Sequence, residues 1–230
     1  MLHRPFRTAL VTLVGGLTVV ATAAAITGST PDGDAHPYVG ALVVDGRVAC
    51  SGVLIAPTVF ATAGHCGADG ARVAVSFDAV LADEWSLQVG TLAVDTSKGA
   101  DLAVVVLDEA TSEGPAVLPQ ADSVEALARR APVTSVGYGY SSRGADGTFV
   151  YDGLRRAASS PVLKVGRLTL TISTKSAGPC MGDSGGPQLA GDTVLSVTST
   201  GSKDCSGRAE GYRLDTTQAR SFLSGFVALP

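Results

Sequence analysis

Short apolar segments separated by turn residues constrain the fold of this chain more than any other feature. Runs rich in Val, Leu and Thr alternate with clusters of Gly, Pro, Asp and Ser along most of the 230 residues. All-β proteins have this pattern, because each strand is short and a turn follows it. The strongest strand candidates are residues 38–44, 50–56, 102–107, 133–138 and 194–200.

One segment has helical periodicity instead. Apolar residues between positions 216 and 227 recur at i, i+3, i+4, i+7 and i+8, which predicts an amphipathic helix with Asp215 or Thr216 as its N-cap. A second, short helix is expected at residues 123–130. The Gly- and Pro-containing stretch 109–120 precedes it and is typical of a connector between two halves, about 26–118 and about 119–230.

The N-terminal segment has the order of a secretory signal peptide. Arg4 and Arg7 precede an apolar run that ends in three alanines at position 25. Glycines and threonines dilute this run, which makes a membrane anchor the weaker interpretation. We therefore expect cleavage after Ala25, export to the extracellular medium and no membrane attachment afterwards.

Charge and cysteine content narrow the function classes further. The chain has 17 basic and 21 acidic residues, without a basic stripe, so nucleic acid is not an expected partner. Four cysteines in an exported chain predict two disulfides, with three possible pairings. Zinc binding is not predicted, because no C-x-x-C motif occurs.

Three separate segments carry candidate catalytic groups. His65 lies in Ala-Thr-Ala-Gly-His-Cys, directly after an apolar run, and Ser184 lies in Gly-Asp-Ser-Gly-Gly-Pro. Glycines around a serine allow a tight backbone that exposes the hydroxyl and directs successive N–H groups to one point. Asp101 begins a strongly apolar strand. A serine nucleophile, a histidine base and an orienting acid are the components of nucleophilic acyl transfer.

Two other interpretations of these residues are weaker. His36, next to a proline, is expected to be a surface or satisfied core residue rather than a catalytic one. An α/β-hydrolase esterase would need a histidine after its serine, and no histidine follows Ser184.

These motifs resemble those of the chymotrypsin-like (trypsin-fold) serine peptidases, in the order His65, Asp101, Ser184. The likeness extends from Ile-Thr-Gly-Ser at position 26 to the closing helix and thus spans the mature chain. Two positions depart from the family pattern: Ser29 replaces a glycine of the mature start, and Thr200 replaces a common tryptophan.

The resemblance implies an all-β fold of two perpendicular six-stranded antiparallel β-barrels with a C-terminal α-helix, acting as a monomer on protein or peptide substrates. It implies disulfides Cys50–Cys66 and Cys180–Cys205, and no metal or organic cofactor. His65, Asp101 and Ser184 would be catalytic, and the backbone N–H groups of Gly182 and Ser184 would form an oxyanion hole. The implied substrate-binding residues are Gly178, Ser199, Thr200, Gly201 and Gly211.

Activation and specificity are further expectations from the same resemblance. A free α-amine at Ile26 would pair with Asp183, so signal cleavage itself could activate the enzyme. Gly178 would form the floor of a neutral pocket for Phe, Tyr, Leu or Met. Two alternatives stay open: an inert trypsin-fold binding protein, and a peptidase for basic residues if a one-residue slip places Glu210 on the pocket wall.

Overall fold

Two closed antiparallel β-barrels form most of the described chain, which in this computed structural model comprises residues 25–81, 84–143, 146 and 148–230. The predicted signal peptide lies outside these residues except for Ala25. Within the described ranges, no helix has both the length and the apolar character needed to cross a bilayer.

The first barrel closes in the order β2-β3-β4-β7-β6-β5, because β2 pairs with both β3 and β5. Most Val, Leu and Ile side chains of these strands are buried, whereas Val89 and Val106 are exposed. His65 follows the end of β4, and Asp101 precedes the start of β7. The strands are β2 Val39–Val44, β3 Arg47–Ala56, β4 Val59–Thr62, β5 Arg72–Ser76, β6 Gln88–Val94 and β7 Ala103–Leu107.

The second barrel closes in the order β8-β11-β12-β15-β14-β13, because β8 pairs with both β11 and β13. The five strands expected from the sequence are confirmed across the two barrels, with ends shifted by up to three residues. The strands are β8 Pro132–Gly137, β11 Arg156–Val165, β12 Thr169–Ser173, β13 Pro187–Ala190, β14 Thr193–Gly201 and β15 Arg208–Arg213.

Shorter elements surround the barrels. The helix α1 (Ala25–Gly28) precedes β1 (Thr30–Pro31), and β1 pairs with β11 of the second barrel, although the sequence boundary assigned this segment to the first half. The strands β9 (Ser142–Arg143) and β10 (Phe149–Val150) form a small hairpin. A 3₁₀ turn at Ser123–Ala126 occupies part of the predicted helix 123–130.

The C-terminal helix α2 (Thr217–Leu223) is shorter than the predicted 216–227. Thr216 is its N-cap, because its hydroxyl accepts a hydrogen bond from the Ala219 N–H at 3.2 Å. Past Leu223 the N–H of Gly225 bonds to the carbonyl three residues earlier, which replaces the α-helix with tight turns.

A buried ion pair joins the N-terminal segment to both barrels. Arg155 and Asp32 are fully buried, with the Arg155 Nε 3.0 Å from Asp32 Oδ2. The Arg155 guanidinium also donates to the carbonyls of Val39, at 3.1 Å, and Phe77, at 2.8 Å. His36 Nδ1 lies 2.6 Å from the other Asp32 oxygen, so His36 is a satisfied residue as predicted. Burial opposes ionisation of Asp32, but His36 and Arg155 together lower its pKa.

Candidate active site

His65 is held in a tight turn at the end of a buried strand. All four residues of β4 are buried, and the chain then forms a 3₁₀ turn at Gly64–Cys66. The predicted disulfide Cys50–Cys66 is confirmed and fastens this turn to β3. In the described chain, the one cluster with metal-ligand spacing is Cys50, His65 and Cys66, and its sulfurs are in the disulfide rather than free as thiolates.

Asp101 orients the His65 imidazole. Its carboxylate accepts the His65 backbone N–H at 3.0 Å, and its Oδ2 lies 3.0 Å from His65 Nδ1. A hydrogen bond from Nδ1–H to a carboxylate leaves Nε2 free to accept a proton. The hydrogen bond to Asp101 raises the pKa of His65, against the opposing effect of burial.

Ser199, on β14, brings the second barrel to the same carboxylate. Its hydroxyl donates to Asp101 Oδ2 in a short hydrogen bond. Burial alone would raise the pKa of Asp101, but the hydrogen bonds from His65 and Ser199 lower it below its ordinary value. Asp101 is therefore a carboxylate at neutral pH that is shared between the two barrels.

Ser184 lies in a loop whose backbone requires glycine. Gly185 has a φ of +79°, and a Cβ there would lie 2.1 Å from the Thr62 Oγ1 and 2.4 Å from the Ser51 carbonyl oxygen. Gly182 has a φ of +90°, and a Cβ there would lie 2.9 Å from the Gly139 Cα. Side chains rarely adopt this left-handed region, and here they would also clash. The loop can thus pack directly against the first barrel.

The structure places Ser184 next to the turn that carries His65. The Ser184 carbonyl oxygen accepts a hydrogen bond from the Ser51 N–H at 2.8 Å and lies 3.9 Å from the Cys66 Sγ. Within the described residues, no hydrogen bond joins the Ser184 hydroxyl to His65. Such bonds are often long in a ligand-free site and shorten when substrate binds.

Asp183, which directly precedes Ser184 in the serine loop, is completely buried. It accepts hydrogen bonds from the N–H groups of Gly139 and Cys180, both at 2.8 Å. No cation contacts Asp183 among the described residues, and burial raises its pKa to about 7. The Ile26 side chain is also buried.

A cavity of about 320 Å³ opens beside Ser184. The predicted residues Ser199, Thr200 and Gly201 line it, together with Met181, Lys203 and Ala209, which the sequence analysis did not identify. The disulfide Cys180–Cys205 is confirmed and braces this wall. No acidic residue is among the lining residues in the described chain.

Two of the expected pocket residues lie elsewhere. Gly178 does not line the cavity, and a Cβ at Gly178 would lie 2.6 Å from the Thr174 Cγ2. Gly211 faces the interior of the second barrel, where a Cβ would lie 2.5 Å from the Ser196 hydroxyl. Ala209 instead pairs with Gly201 across β14 and β15 and forms the wall, while Glu210 lies in a neighbouring shallow pocket.

Ser51 is a site residue that the sequence analysis missed. It is fully buried on β3, and its hydroxyl donates to the Gly182 carbonyl at 3.0 Å and accepts the Tyr138 N–H at 2.9 Å. The signal available in the sequence is its position directly after Cys50. That position gives no indication of the long-range partner.

Comparisons with known proteins identify a family and a fold. The model of the family described as Trypsin matches residues 25–222. A protein named trypsin from Saccharopolyspora erythraea is 31% identical over 193 residues, which cover 72% of this chain and 82% of that protein. The solved structure of HL collagenase has a TM-score of 0.69 at 19% identity and covers 83% of this chain and 93% of its own. The structure of HBP has a TM-score of 0.70 at 17% identity and covers 88% and 97%. These two structures support the fold alone.

Proposed function

Because this chain belongs to the trypsin family of serine peptidases, we propose that it is a secreted, monomeric endopeptidase that uses His65, Asp101 and Ser184. The observation that carries the proposal is the shared carboxylate of Asp101, which accepts hydrogen bonds from His65 on one barrel and Ser199 on the other. An exposed histidine held this way beside a tightly packed serine loop has the arrangement that acyl transfer requires.

Each of the three residues has a defined role in the proposed reaction. His65 Nε2 takes the Ser184 proton while the serine oxygen attacks the peptide carbonyl, and His65 then gives that proton to the leaving amine. Water repeats the sequence and releases the acyl group from Ser184. Asp101 fixes the imidazole tautomer and stabilises its cation, which agrees with the raised pKa of His65.

The N–H groups of Gly182 and Ser184 are proposed to stabilise the oxyanion. Each such donor contributes a few kcal/mol, about 3 to 4, when its position is fixed before reaction. The left-handed conformation of Gly182 and the anchoring of the Ser184 carbonyl on Ser51 support this assignment, because both hold the loop rigid.

The acyl-side specificity is proposed to be for Phe, Tyr, Leu or Met. The cavity beside Ser184 carries Ala209, Gly201 and the cationic Lys203. Burying a large apolar side chain stabilises by about 1.5–3 kcal/mol, whereas a second cation near Lys203 would be repelled. A preference for Arg would instead support the alternative of a basic-residue peptidase, with Glu210 turned toward the pocket.

Activation is proposed to follow cleavage before Ile26. The freed α-amine would enter the buried site of Asp183 and supply the cation that this carboxylate lacks. In the uncleaved chain Ile26 has a φ of 41°, a conformation that β-branched residues rarely adopt, and cleavage would relieve it. N-terminal sequencing of the active secreted form tests this, and a start other than Ile26 refutes it.

Site-directed variants test the proposed activity. Ser184→Ala, His65→Ala and Asp101→Asn should each remove most peptidase activity while keeping the fold, and combining them should add little, because the three residues act as a unit. Full activity in any one variant would refute the assignment. A wild-type chain that binds peptides without cleaving them would favour the inert binding protein.

A further inference from the structure

A second cavity, of about 580 Å³, opens on the other side of the serine loop. It shares only Met181 with the acyl-side cavity, within the residues described, and it also reaches Gly182. Its volume lies in the range of roughly 300–1,000 Å³ that ligand sites occupy. Twelve described residues line it, of which four are aromatic, Trp85, Tyr138, Tyr140 and Tyr151, and one is charged, Arg47.

The aromatic wall of this cavity is accessible. Tyr140 and Tyr151 meet edge to face, with ring centroids 6.1 Å apart, and both remain exposed. Met181, on the opposite wall, is 44% exposed. Exposed apolar side chains that converge on one cavity are typical of a binding surface.

The position of the cavity indicates which part of a substrate would reach it. The walls from the first barrel include Val48 and Ala49, which directly precede Cys50 on β3. The disulfide of Cys50 leads to Cys66, next to His65. Since the acyl-side cavity and this cavity meet at Met181 beside the serine loop, a substrate whose acyl side fills the first would extend its chain after the cut bond toward Ala49 and the second.

We propose that this cavity binds an aromatic side chain in the first two residues after the cut bond. This inference rests on the proposed peptidase activity. The occupant is aromatic because the four lining rings favour edge-to-face contacts with another ring, and because the cationic Arg47 repels a basic side chain but is attracted to the face of a ring.

Acyl transfer to added amines isolates the leaving-group side. An ester substrate forms the acyl-enzyme, and a dipeptide amide then competes with water for it: the amine attacks the acyl carbon, the bond to Ser184 breaks, and the amine proton returns through His65 to the serine oxygen. The nucleophiles are Phe-Gly-amide, Gly-Phe-amide and Gly-Gly-amide. We expect one of the Phe compounds to capture the acyl-enzyme roughly tenfold better than Gly-Gly-amide.

Variants assign that preference to the cavity. Tyr151→Ala and Trp85→Ala should each bring capture by the preferred Phe compound to within about twofold of capture by Gly-Gly-amide. Tyr151→Phe keeps the ring and should keep the preference. Leu163→Ala removes an equally exposed apolar side chain outside the cavity and should change nothing. Equal capture of all three nucleophiles by wild type would overturn the inference and leave the peptidase proposal intact. Absence of ester turnover would overturn both.

A separate observation concerns Ser51, which binds two carbonyl groups of the serine loop. Its N–H holds the Ser184 carbonyl at 2.8 Å, and its hydroxyl holds the Gly182 carbonyl at 3.0 Å. The hydroxyl is itself oriented, because it accepts the Tyr138 N–H at 2.9 Å. We infer that Ser51 is a positioning residue: it fixes the peptide groups that follow Gly182 and Ser184, and so the backbone conformation of the two residues whose N–H groups are the proposed oxyanion donors.

The test compares the effect of each substitution on kcat with its effect on KM. Ser51→Ala should lower kcat by about tenfold to a hundredfold and leave KM within about twofold of its wild-type value. A peptide aldehyde forms a tetrahedral adduct with the serine, and its binding should be weakened by the same factor as kcat. Ser51→Thr retains the hydroxyl and should recover most of the loss. Ser196→Ala, another buried serine hydrogen-bonded in the second barrel, should alter stability without altering kcat.

Two results would overturn the role of Ser51. One is a Ser51→Ala enzyme with wild-type kcat. The other is a loss of kcat that Ser51→Thr does not reduce, or that Ser196→Ala reproduces, because general destabilisation would then explain it. If Ser51→Ala does not fold, Ser51→Cys, a weaker hydrogen-bond donor, is measured against the same criteria.

Discussion

Replacing Asp183 with asparagine is expected to stabilise the uncleaved chain more and more as the pH rises. The carboxyl group is fully buried, and its described partners are two backbone N–H groups without a cation. Ionising it in the folded protein is therefore costly. Asparagine fills the same space and carries no charge at any pH.

The magnitude follows from the difference between the folded and unfolded pKa values. Burial raises the pKa of Asp183 to about 7 from an ordinary value of 3.8. The folded state thus keeps a proton that the unfolded state releases between pH 4 and 7, and stability falls over that range as the pH rises. At about 1.4 kcal/mol per pH unit, the total loss is about 4 kcal/mol above pH 7.

Asparagine also introduces an offset, because its Nδ2 would face one of the two backbone N–H donors, either that of Cys180 or that of Gly139. Two opposed donors in a buried site cost about 1–3 kcal/mol, but this cost does not change with pH. The diagnostic quantity is therefore the change in the stability difference between pH 4 and pH 8, and not its value at one pH.

Urea denaturation followed by the fluorescence of Trp85, the single tryptophan, measures this difference. The uncleaved chain is used in a Ser184→Ala background, which prevents self-cleavage. Asp45→Asn, in the exposed turn after β2, is the matched control, because it makes the same substitution at a solvent-exposed carboxylate. In a chain that begins at Ile26 the sign should reverse, because Asp183→Asn would then leave the new amine unpaired and cost about 3–5 kcal/mol. A difference that is the same at pH 4 and pH 8 would refute the reasoning.

Other consequences follow from the site and the fold. Peptidase activity should rise with pH through the raised pKa of His65, since only the neutral imidazole accepts a proton; kcat/KM from pH 5 to 9 measures this, and a flat profile contradicts it. Asp101→Asn should move the midpoint of this pH profile to lower pH and reduce kcat by about 10⁴-fold, measured in the same assay. Arg155→Met leaves Asp32 buried with His36 but without its guanidinium partner and should cost about 3–5 kcal/mol in urea denaturation, whereas an unchanged midpoint would show that the Arg155–Asp32 pair is dispensable. Thr216→Ala removes the N-cap of α2 and should cost about 1 kcal/mol in the same measurement.

Local signals account for the parts of the fold that were predicted correctly. The strands were recognisable because apolar side chains and turn residues alternate, and that alternation depends on neighbours in sequence alone. Thr216 was available as an N-cap for the same reason. The disulfides Cys50–Cys66 and Cys180–Cys205 came from the family resemblance, since spacing by itself left three pairings open.

Contacts between distant segments were not predictable in the same way. The buried Arg155 pairs with a residue 123 positions away, and nothing in its local sequence distinguishes it from the exposed arginines. The pocket wall depends on how far along β15 the cavity lies: Ala209 and Gly211 are two residues apart on the same face of this strand, and the pairing of Ala209 with Gly201 puts Ala209 rather than Gly211 at the cavity.

Labelling of Ser184 by a peptide-based organophosphonate ester tests the central claim most directly. The reagent reacts with a serine that a neighbouring base has activated, and intact mass followed by peptide mapping locates the adduct. The proposed mechanism predicts one adduct per chain, on the peptide that contains Ser184, with a rate that falls at least about 10³-fold in His65→Ala. An adduct on another residue, or a rate that does not depend on His65, would contradict it.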